Sequence, residues 1–466
     1  MDIPGMGFVN SLFQKGIKTT VADKIDETTR AVLAGIGVKE ARALLRGEAP
    51  TEKPNPRYRA QVKSFMLHIR PKFYQEGSTW FTHTFRLGFL STLMFVIETI
   101  TGLILMVYYT PSPDRAYYDM LDILSNVNYG KFMRDMHRLG AELMVILVTL
   151  HMVRVYFTGS YKHPRQFTWL TGVVLLLVTL FLSFSGYLLP WDQLAFWAIT
   201  VGTNIARAGP LVGEKIRFLL LGGNEIAQNA LLRFYVLHCF FLPALVLLLF
   251  CWHMWRIRKD GGLACVDQLA LRQMIEDVPP AKVKTYSLLG ITSGRTVHVE
   301  TALVDEDQHT VSSSPHLAWR LVLVMMATVA LASLLTLVVP APLEEPANPA
   351  VTPNPAKAPW YFLWLQELVT DTTVKIGDFT VNGALVGGIL IPGVLVLLLA
   401  AWPYLDKSRA ESAGVWLAEA RRRQNLVFLA IVAVILVLTI IGTFLRGPNW
   451  DFFWPWQTWP ETPRHF

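Results

Sequence analysis

The chain has 466 residues, of which 52% are hydrophobic and 17% are charged, and its mean hydropathy is +0.37. These values are typical of a membrane protein that crosses the bilayer several times and has sizeable polar parts. The net charge of +7 is interpreted as an excess of basic residues at one membrane surface. Nucleic-acid binding is therefore not expected.

The predicted elements begin with a long, polar and basic segment, residues 1–80, in which no cleavable signal is expected. Basic and apolar positions alternate around residues 9–47, which predicts amphipathic helices on the cytoplasmic face. Seven windows of about twenty mostly apolar residues follow, each long enough to cross a bilayer. They lie near residues 87–108, 139–157, 168–190, 232–252, 318–339, 384–402 and 425–445. The sequence thus predicts an all-α fold with seven transmembrane helices.

The distribution of Lys and Arg predicts the orientation of these helices. The first 80 residues contain thirteen basic residues and the 403–424 loop contains five, whereas the 340–383 loop has two against five acids. Because cytoplasmic loops are enriched in Lys and Arg, the N-terminus is expected in the cytoplasm. After seven crossings the C-terminus is expected on the outer side of the cytoplasmic membrane.

Four histidines lie in two of the predicted spans at nearly equal intervals. His137 and His151 are fourteen residues apart in the second span, and His238 and His253 are fifteen apart in the fourth. Such intervals stack two imidazoles on one helix face roughly 21 Å apart. Two facing helices of this kind would offer two bis-imidazole sites, which suit two haems. The alternative is four unrelated histidines at helix interfaces, but ionisable side chains in spans are rare and usually functional.

Topology orders these histidines across the membrane. The second and fourth spans both run inward, so His137 and His238 are expected near the outer face and His151 and His253 near the cytoplasmic face.

Glycines repeat at the same interval in the first and third spans. Gly88 and Gly102 are fourteen residues apart, as are Gly172 and Gly186. A flat macrocycle can approach a helix closely where a side chain is missing, so these glycines could make room for two haem planes. The alternative is that small residues simply allow helices to pack.

Several motifs in and around the first four spans now reveal a family resemblance. They are NYG at 128–130, MHR at 136–138, FTWLTG at 167–172, SGYLLPWDQ at 185–193 and RFYVLH at 233–238. The stretch from about 86 to 262 resembles cytochrome b of the Rieske/cytochrome b complexes. The fifteen-residue interval between the histidines of the fourth span resembles the interval found in the chloroplast and cyanobacterial branch of this family. From about 317 onward, NP at 348–349 and APWYF at 358–362 resemble the three-span partner subunit of that branch, here fused into one chain.

The resemblance implies two non-covalent b haems and specific ligand pairs. His137 would pair with His238 at the outer haem, and His151 with His253 at the inner haem. Arg134 is placed to meet a propionate of the outer haem, as the corresponding family arginine does.

Three further arginines are candidates at the inner end of the bundle. Arg154 and Arg165 are weaker candidates for haem contacts, and Arg258 is a candidate for an inner quinone site. Each could equally be a cation that extends to the membrane surface.

The domain boundaries follow from these segments. We expect a cytoplasmic N-terminal region over 1–80, a four-span dihaem domain over 81–257, a polar cytoplasmic linker over 258–316, a three-span domain over 317–445 and an aromatic outer-face tail over 446–466. Within the linker, residues 269–275 could form a short surface helix.

The resemblance also implies a quinol site near the outer face. Trp360, Tyr361 and the PWDQ turn at 190–193 would line it, although Trp and Tyr at a membrane boundary are also common belt residues. The family's usual Pro-Glu-Trp-Tyr motif has a carboxylate that can accept a quinol proton, whereas Pro359 precedes Trp360 here. Glu367, Asp192 or a Rieske cluster histidine are then the candidate bases. Glu367 could instead be an exposed acid at a helix start.

A second departure concerns a covalent haem. The chloroplast branch attaches an extra haem through a cysteine near the start of the first span, and the matching position here is Arg86. The three cysteines of the chain form no C-x-x-C-H motif either. No covalently attached haem is therefore expected.

The predicted function is that of the cytochrome b subunit of a quinol:cytochrome c oxidoreductase that contributes to proton translocation. Its expected partners are a Rieske iron–sulfur protein, a c-type cytochrome or similar acceptor, membrane quinone and a second copy of the complex. The alternative is a dihaem membrane anchor that links quinone to an extrinsic dehydrogenase or hydrogenase. A third hypothesis, a transporter or purely structural subunit, predicts no haem absorption.

Overall fold

A computed structural model describes residues 17–32, 37–45, 73–259, 310–408 and 412–458. The chain divides into two compact units. The smaller unit draws on residues 1–83, 256–322 and 413–415, and the larger on residues 84–255, 323–412 and 416–466. The first four predicted spans and most of the last three thus belong to one unit.

Seven helices in the described residues are long and apolar enough to cross a membrane, which confirms the predicted number. They are Leu87–Tyr108, Gly130–Phe157, Gln166–Tyr187, Gln228–Ile257, Ser313–Val338, Gly383–Leu405 and Glu419–Leu445, here called the first to seventh spans. Large aliphatic side chains on these helices remain exposed, for example Leu247, Leu337 and Leu397. Such exposure is expected of helices that are surrounded by lipid.

The first four spans form the bundle that carries the histidines. The first and second spans make the most extensive helix–helix contact in the described chain, with Met94, Leu93 and Met144 buried between them. The third span packs against the second. The fourth span in turn packs against the third.

Four shorter helices lie in the loops that the predicted topology places outside. They are Ala116–Ser125, Gln193–Arg207, Gly213–Leu221 and Trp360–Thr372. Helix Gln193–Arg207 begins at Asp192, whose carboxylate accepts a hydrogen bond from the backbone N–H of Ala195 at 2.9 Å. This is an ordinary N-cap that satisfies one of the helix's unpaired donors. Ile123, Leu188, Ile199 and Leu231 form the buried core beneath these loops.

Contacts across the larger unit fix the sixth and seventh spans to the four-span bundle. The rings of Tyr156 and Phe428 stack at 3.9 Å between centroids, and the Trp169 indole donates to the carbonyl of Leu399 at 2.7 Å. The two halves that the resemblance identifies therefore share one core.

A buried polar cluster strengthens the same junction. The Asp406 carboxylate accepts from the Tyr161 hydroxyl at 2.7 Å and lies 3.1 Å from Lys162 Nζ. Burial alone would raise the pKa of Asp406, but hydrogen bonds from Tyr161 and Ser408 outweigh it and hold that pKa to about 2. The carboxylate is thus ionised over the physiological pH range.

The fold is helical, as predicted, apart from two small antiparallel ribbons. Phe73–Gln75 pairs with Thr310–Ser312, and Lys375–Ile376 pairs with Phe379–Thr380. The sequence analysis anticipated neither. Helices Ile17–Val32 and Val38–Leu45 lie in the predicted amphipathic region. Most of the predicted linker, including the expected surface helix at 269–275, lies outside the described residues.

Candidate haem and quinol sites

The four histidines meet in the pairs that topology and family resemblance predict. The imidazole centroids of His137 and His238 are 6.1 Å apart, with the ring planes at 85°. His253 lies within electrostatic range of His151. The chain therefore presents two bis-imidazole groups, one from each end of the second and fourth spans.

A π-helical segment explains why unequal intervals bring the histidines into register. Residues Leu237–Phe241, which include His238, form a π-helical turn within the fourth span. A π-helical turn absorbs one extra residue, and such bulges are frequent at functional sites. The fifteen residues from His238 to His253 are thus geometrically equivalent to about fourteen in a regular helix, which is the interval of the second span.

Three of the four imidazoles have a Ser or Thr hydroxyl group within hydrogen-bond distance of Nδ1. The pairs are Thr101 with His137 at 2.9 Å, Thr171 with His253 at 2.8 Å, and Ser185 with His238 at 3.3 Å. Each hydroxyl donates its own hydrogen to a carbonyl of its own helix, those of Ile97, Thr168 and Leu182. The hydroxyl oxygen is then left to accept from Nδ1–H. At His238 the carbonyl of Leu182, 3.1 Å from Nδ1, is a second and closer acceptor. This arrangement places the imidazole proton on Nδ1 and leaves the Nε2 lone pair for a metal.

Sequence reasoning missed these three hydroxyl residues, although the sequence carries a signal for them. Each directly precedes one of the glycines that the analysis singled out, in Thr101-Gly102, Thr171-Gly172 and Ser185-Gly186. The fourth glycine, Gly88, follows a leucine. One turn of helix thus supplies both the space for an imidazole and the acceptor for its proton.

The glycines face the histidines one to one. A Cβ built on Gly102 would lie 3.0 Å from Cε1 of His137, on Gly88 3.2 Å from Cε1 of His151, and on Gly172 3.4 Å from Cε1 of His253; on Gly186 it would collide with the ring of His238. The missing side chains therefore make room for the imidazoles themselves. Room for the haem planes stays a prediction.

An acid that the sequence analysis overlooked lies beside the outer pair. Glu98 is the only charged residue of the first span, and its Oε2 is 3.2 Å from Nδ1 of His137. Its Oε1 is buried without a hydrogen-bond partner among the described residues, in space left by Gly140. The Glu98 side chain is therefore a direct neighbour of the outer histidine pair.

The predicted arginines differ in their surroundings. Arg134 is buried, and its two Nη groups donate to the carbonyls of Ala341 at 2.9 Å and Pro342 at 2.7 Å. Those bonds tie the outer end of the second span to the loop after the fifth. Arg154 is also buried and acts electrostatically on His151.

Two arginines remain less defined. Arg165 is half-buried at the residue before helix Gln166–Tyr187, near the inner end of the bundle. Arg258 lies in helix Leu242–Lys259, but its side chain is outside the described part of the structure.

Aromatic side chains gather where the outer quinol site is predicted. Tyr361 is buried, its neighbour Trp360 is 40% exposed, and their ring centroids are 5.4 Å apart. Phe362 contacts Phe184 of the third span, with centroids 6.1 Å apart. Burial raises the pKa of Tyr361 to about 12, while its hydroxyl interacts with Ser183 and Arg138. The phenol is therefore neutral and held in place.

Asp192 is buried nearby but is fully used by the backbone. Its Oδ1 accepts from Ala195 N–H at 2.9 Å and its Oδ2 from Glu344 N–H at 3.2 Å. Burial raises the pKa of Asp192 despite these bonds. The residue joins the turn after the third span to the loop at 341–346, which makes it a positioning group.

Comparison with known proteins decides the family. Residues 75–261 match the family model described as "Cytochrome b/b6/petB", and residues 346–454 match "Cytochrome b(C-terminal)/b6/petD". Cytochrome b6 of Heliomicrobium gestii is 41% identical over 177 residues, which are 38% of this chain and 83% of that protein. The chain belongs to the cytochrome b family.

Two further comparisons agree. Cytochrome b6 of Acaryochloris marina is 41% identical over 175 residues, covering 38% of this chain and 81% of that protein. A solved structure titled "Hyperthermophilic respiratory Complex III" matches with a TM-score of 0.61 at 23% identity, covering 83% of this chain and 89% of that chain, and shares the fold.

The family establishes the broad function. This cytochrome b is a haem b-binding, multi-pass membrane subunit of a cytochrome bc- or b6f-type quinol oxidoreductase. The chemistry of its donor set fits haem, because haem supplies four nitrogens to iron and needs two axial ligands from the protein. Two imidazoles at each level meet that requirement, and for three of the four a hydroxyl oxygen lies within reach of Nδ1.

Glu367 of this cytochrome b is already engaged. It is buried inside helix Trp360–Thr372, so the alternative of an exposed acid at a helix start is wrong. Arg446 Nε donates to its Oε1 at 2.9 Å and its Oε2 at 3.1 Å, and Arg446 Nη2 donates to Oε1 at 2.5 Å. The same carboxylate raises the pKa of the Arg446 guanidinium. A carboxylate held by three charge-assisted bonds is a poor proton acceptor, which argues against the predicted role as base.

Proposed function

We propose that this cytochrome b oxidises membrane quinol near the outer face, delivers one electron to a Rieske iron–sulfur protein and the other to two b haems, and releases protons outside. The observation that supports this most strongly is the repeated unit of glycine and histidine at two levels of one bundle. At three of the four positions a hydroxyl group completes the unit.

Each proposed ligand has a defined task. His137 and His238 hold the outer haem and His151 and His253 the inner one, each through Nε2. When bound, the haems supply one-electron carriers of fixed spacing across the membrane.

Residues around the ligands would tune and orient them. The hydroxyls of Thr101, Thr171 and Ser185 fix the imidazole tautomer. The buried cations Arg134 and Arg154 supply positive charge at opposite ends of the second span, where haem propionates would need it. From the sequence, Arg165 is a further candidate for haem contacts at the inner end, and Arg258 is the candidate for the inner quinone site.

The outer quinol site would form between helix Trp360–Thr372 and the third span. Phe184 and Phe362 provide an apolar wall, Trp360 borders the opening, and Tyr361 presents a neutral phenol. Asp192 holds the adjoining turn against the loop at 341–346. Such a site combines apolar walls with a few fixed polar groups, as small-molecule sites generally do.

The proposed arrangement in the cell follows from charge and topology. The N-terminus would lie in the cytoplasm and the C-terminus outside, because seven spans place the termini on opposite sides. A c-type cytochrome or similar protein would accept electrons from the Rieske protein, and the complex would be a homodimer.

Purification of the native complex with its co-purifying subunits tests this function. We expect two haems b per chain, a Rieske iron–sulfur signal in electron paramagnetic resonance, and quinol-dependent reduction of a c-type cytochrome. A co-purifying dehydrogenase or hydrogenase in place of the Rieske protein would instead support the membrane-anchor alternative. A preparation without haem absorption would contradict both.

A further inference from the structure

Quinol oxidation at the proposed site needs a proton acceptor that the motif at Trp360 does not provide. Pro359 has no group that can take a proton. Glu367 is bound through both oxygens by Arg446, and both oxygens of Asp192 accept backbone N–H groups. The carboxylates that the sequence offered as substitutes are thus committed to structure.

A different carboxylate, Glu142, is linked to the buried phenol of Tyr361 through Arg138. Glu142 is in the second span, one helical turn after Arg138, and its Oε1 is 3.0 Å from Arg138 Nη2. Arg138 also lies 5.2 Å above the ring centroid of Tyr187 and interacts with the Tyr361 hydroxyl. Tyr361 is within electrostatic range of both charged residues. Arg138 therefore joins Glu142 to the aromatic cluster.

The state of Glu142 suits a proton acceptor better than that of the other acids. Its side chain is 30% exposed, against 1% for Glu367, and its ion pair is a single contact through Oε1. Among the described residues this ion pair engages Oε1, which leaves Oε2 for a substrate hydroxyl.

We propose that Glu142 is the general base that accepts a proton from quinol beside Tyr361, in place of the carboxylate that Pro359 cannot supply. This inference rests on the proposed function and names a catalytic residue for it. Arg138 is the positioning residue that holds the carboxylate and the phenol together.

The proton and electron balance is that of quinol oxidation. Quinol loses two electrons, one to the iron–sulfur cluster of the Rieske partner and one to a b haem. It loses two protons, one to a histidine of that cluster and one to Glu142. The O–H bond to the second quinol oxygen breaks, a carboxylic acid forms at Glu142, and quinone is the product. Glu142 then releases its proton to the outer solvent and pairs again with Arg138.

The test compares variants in the purified complex with quinol as the varied substrate. Glu142→Gln keeps the size of the side chain but cannot accept a proton, so we expect kcat to fall about 10²–10⁴-fold, the range of general-base catalysis, with little change in KM. Glu142→Asp keeps a carboxylate and should retain more activity than Glu142→Gln. Both haem spectra should be unchanged, because Glu142 contacts neither proposed ligand pair.

Two further variants make the result specific. Pro359→Glu in the Glu142→Gln background should restore turnover, since it returns a carboxylate beside Trp360. Glu214→Gln is the matched control, because Glu214 is also paired with an arginine, Arg207, at 2.6 Å but lies in a loop helix. Its turnover should equal that of the wild type.

The contrary outcomes are distinct. Turnover within about twofold of wild type in Glu142→Gln would overturn the inference, because general-base loss is far larger. Equal losses in the Gln and Asp variants without rescue by Pro359→Glu would also overturn it, in favour of a structural ion pair. An unmodified complex that oxidises no quinol would refute the proposed function itself.

Discussion

The one-to-one packing of glycines against histidines predicts a graded response to alanine substitution. A Cβ at Gly172 would lie 3.4 Å from the His253 ring, an ordinary contact, whereas one at Gly186 would collide with the ring of His238. Overpacking a well-packed site costs typically 1–3 kcal/mol. At about 1.4 kcal/mol per factor of ten, Gly186→Ala should weaken retention of the outer haem roughly 5- to 150-fold. Gly172→Ala should change retention of the inner haem less than about twofold on the same scale.

Gly102 and Gly88 provide the intermediate steps of the series. Their built Cβ atoms lie 3.0 Å and 3.2 Å from the rings of His137 and His151, so Gly102→Ala should affect the outer haem more than Gly88→Ala affects the inner haem. Gly393→Ala is the matched control, because that helical glycine has nothing within 4 Å of its built Cβ. Alanine in a helix is favoured over glycine by roughly 0.5–1 kcal/mol, so this variant should be slightly stabilised.

The assay is haem content per chain, together with reduced-minus-oxidised spectra resolved by potential, which separate the two haems. Equal losses in all four alanine variants, or the largest loss in Gly172→Ala, would refute the packing argument. Loss of haem in Gly393→Ala would show that replacing glycine lowers haem retention by a general effect on the helices, without contact with a histidine ring.

Three further predictions concern the junction, the mode of haem attachment and the outer ligand. Asp406→Asn should lower the free energy of unfolding by about 1–3 kcal/mol, because it leaves buried donors without their charged acceptor. The pKa of Asp406 is about 2 in the folded protein and about 3.9 in the unfolded chain. In thermal unfolding scans, the greater stability of the wild type should therefore be present above about pH 4 and disappear as the pH falls toward 2. All haem should leave the polypeptide on acid–acetone extraction, because Arg86 occupies the thioether position; a haem-stained band that survives denaturing electrophoresis would contradict this. Glu98→Gln should shift the midpoint potential of the outer haem and leave that of the inner haem unchanged, because the Glu98 side chain lies 3.2 Å from Nδ1 of His137 and groups that hydrogen-bond to a haem ligand tune its potential; an unchanged outer potential would contradict this.

Hydropathy predicted the spans, and histidine spacing predicted which imidazoles lie near each other, because both signals depend on periodicity along single helices. The bounds of the second span illustrate the limit: it begins at Gly130, nine residues before the predicted window at 139. Arg134 and Arg138 lower the local hydropathy there, yet their helix is continuous. Polar residues that pair with each other or with loop carbonyls are compatible with a span in ways that hydropathy does not register.

The parts that sequence reasoning missed depend on contacts between distant residues. Glu367 and Arg446 are 79 residues apart in sequence, and no local pattern predicts that they pair. The π-helical turn at His238 and the ribbon between residues 73–75 and 310–312 are likewise set by tertiary packing. The hydroxyl residues before three glycines were predictable in principle, since each is adjacent in sequence to a position already recognised.

The pairing of the four histidines is tested most directly by potentiometric absorption spectra of the four single His→Leu variants. We expect His137→Leu and His238→Leu to remove one and the same haem component, and His151→Leu and His253→Leu to remove the other, with the remaining component still low-spin in each case. Loss of the same component in His137→Leu and His151→Leu would contradict two ligand pairs that each bridge the second and fourth spans.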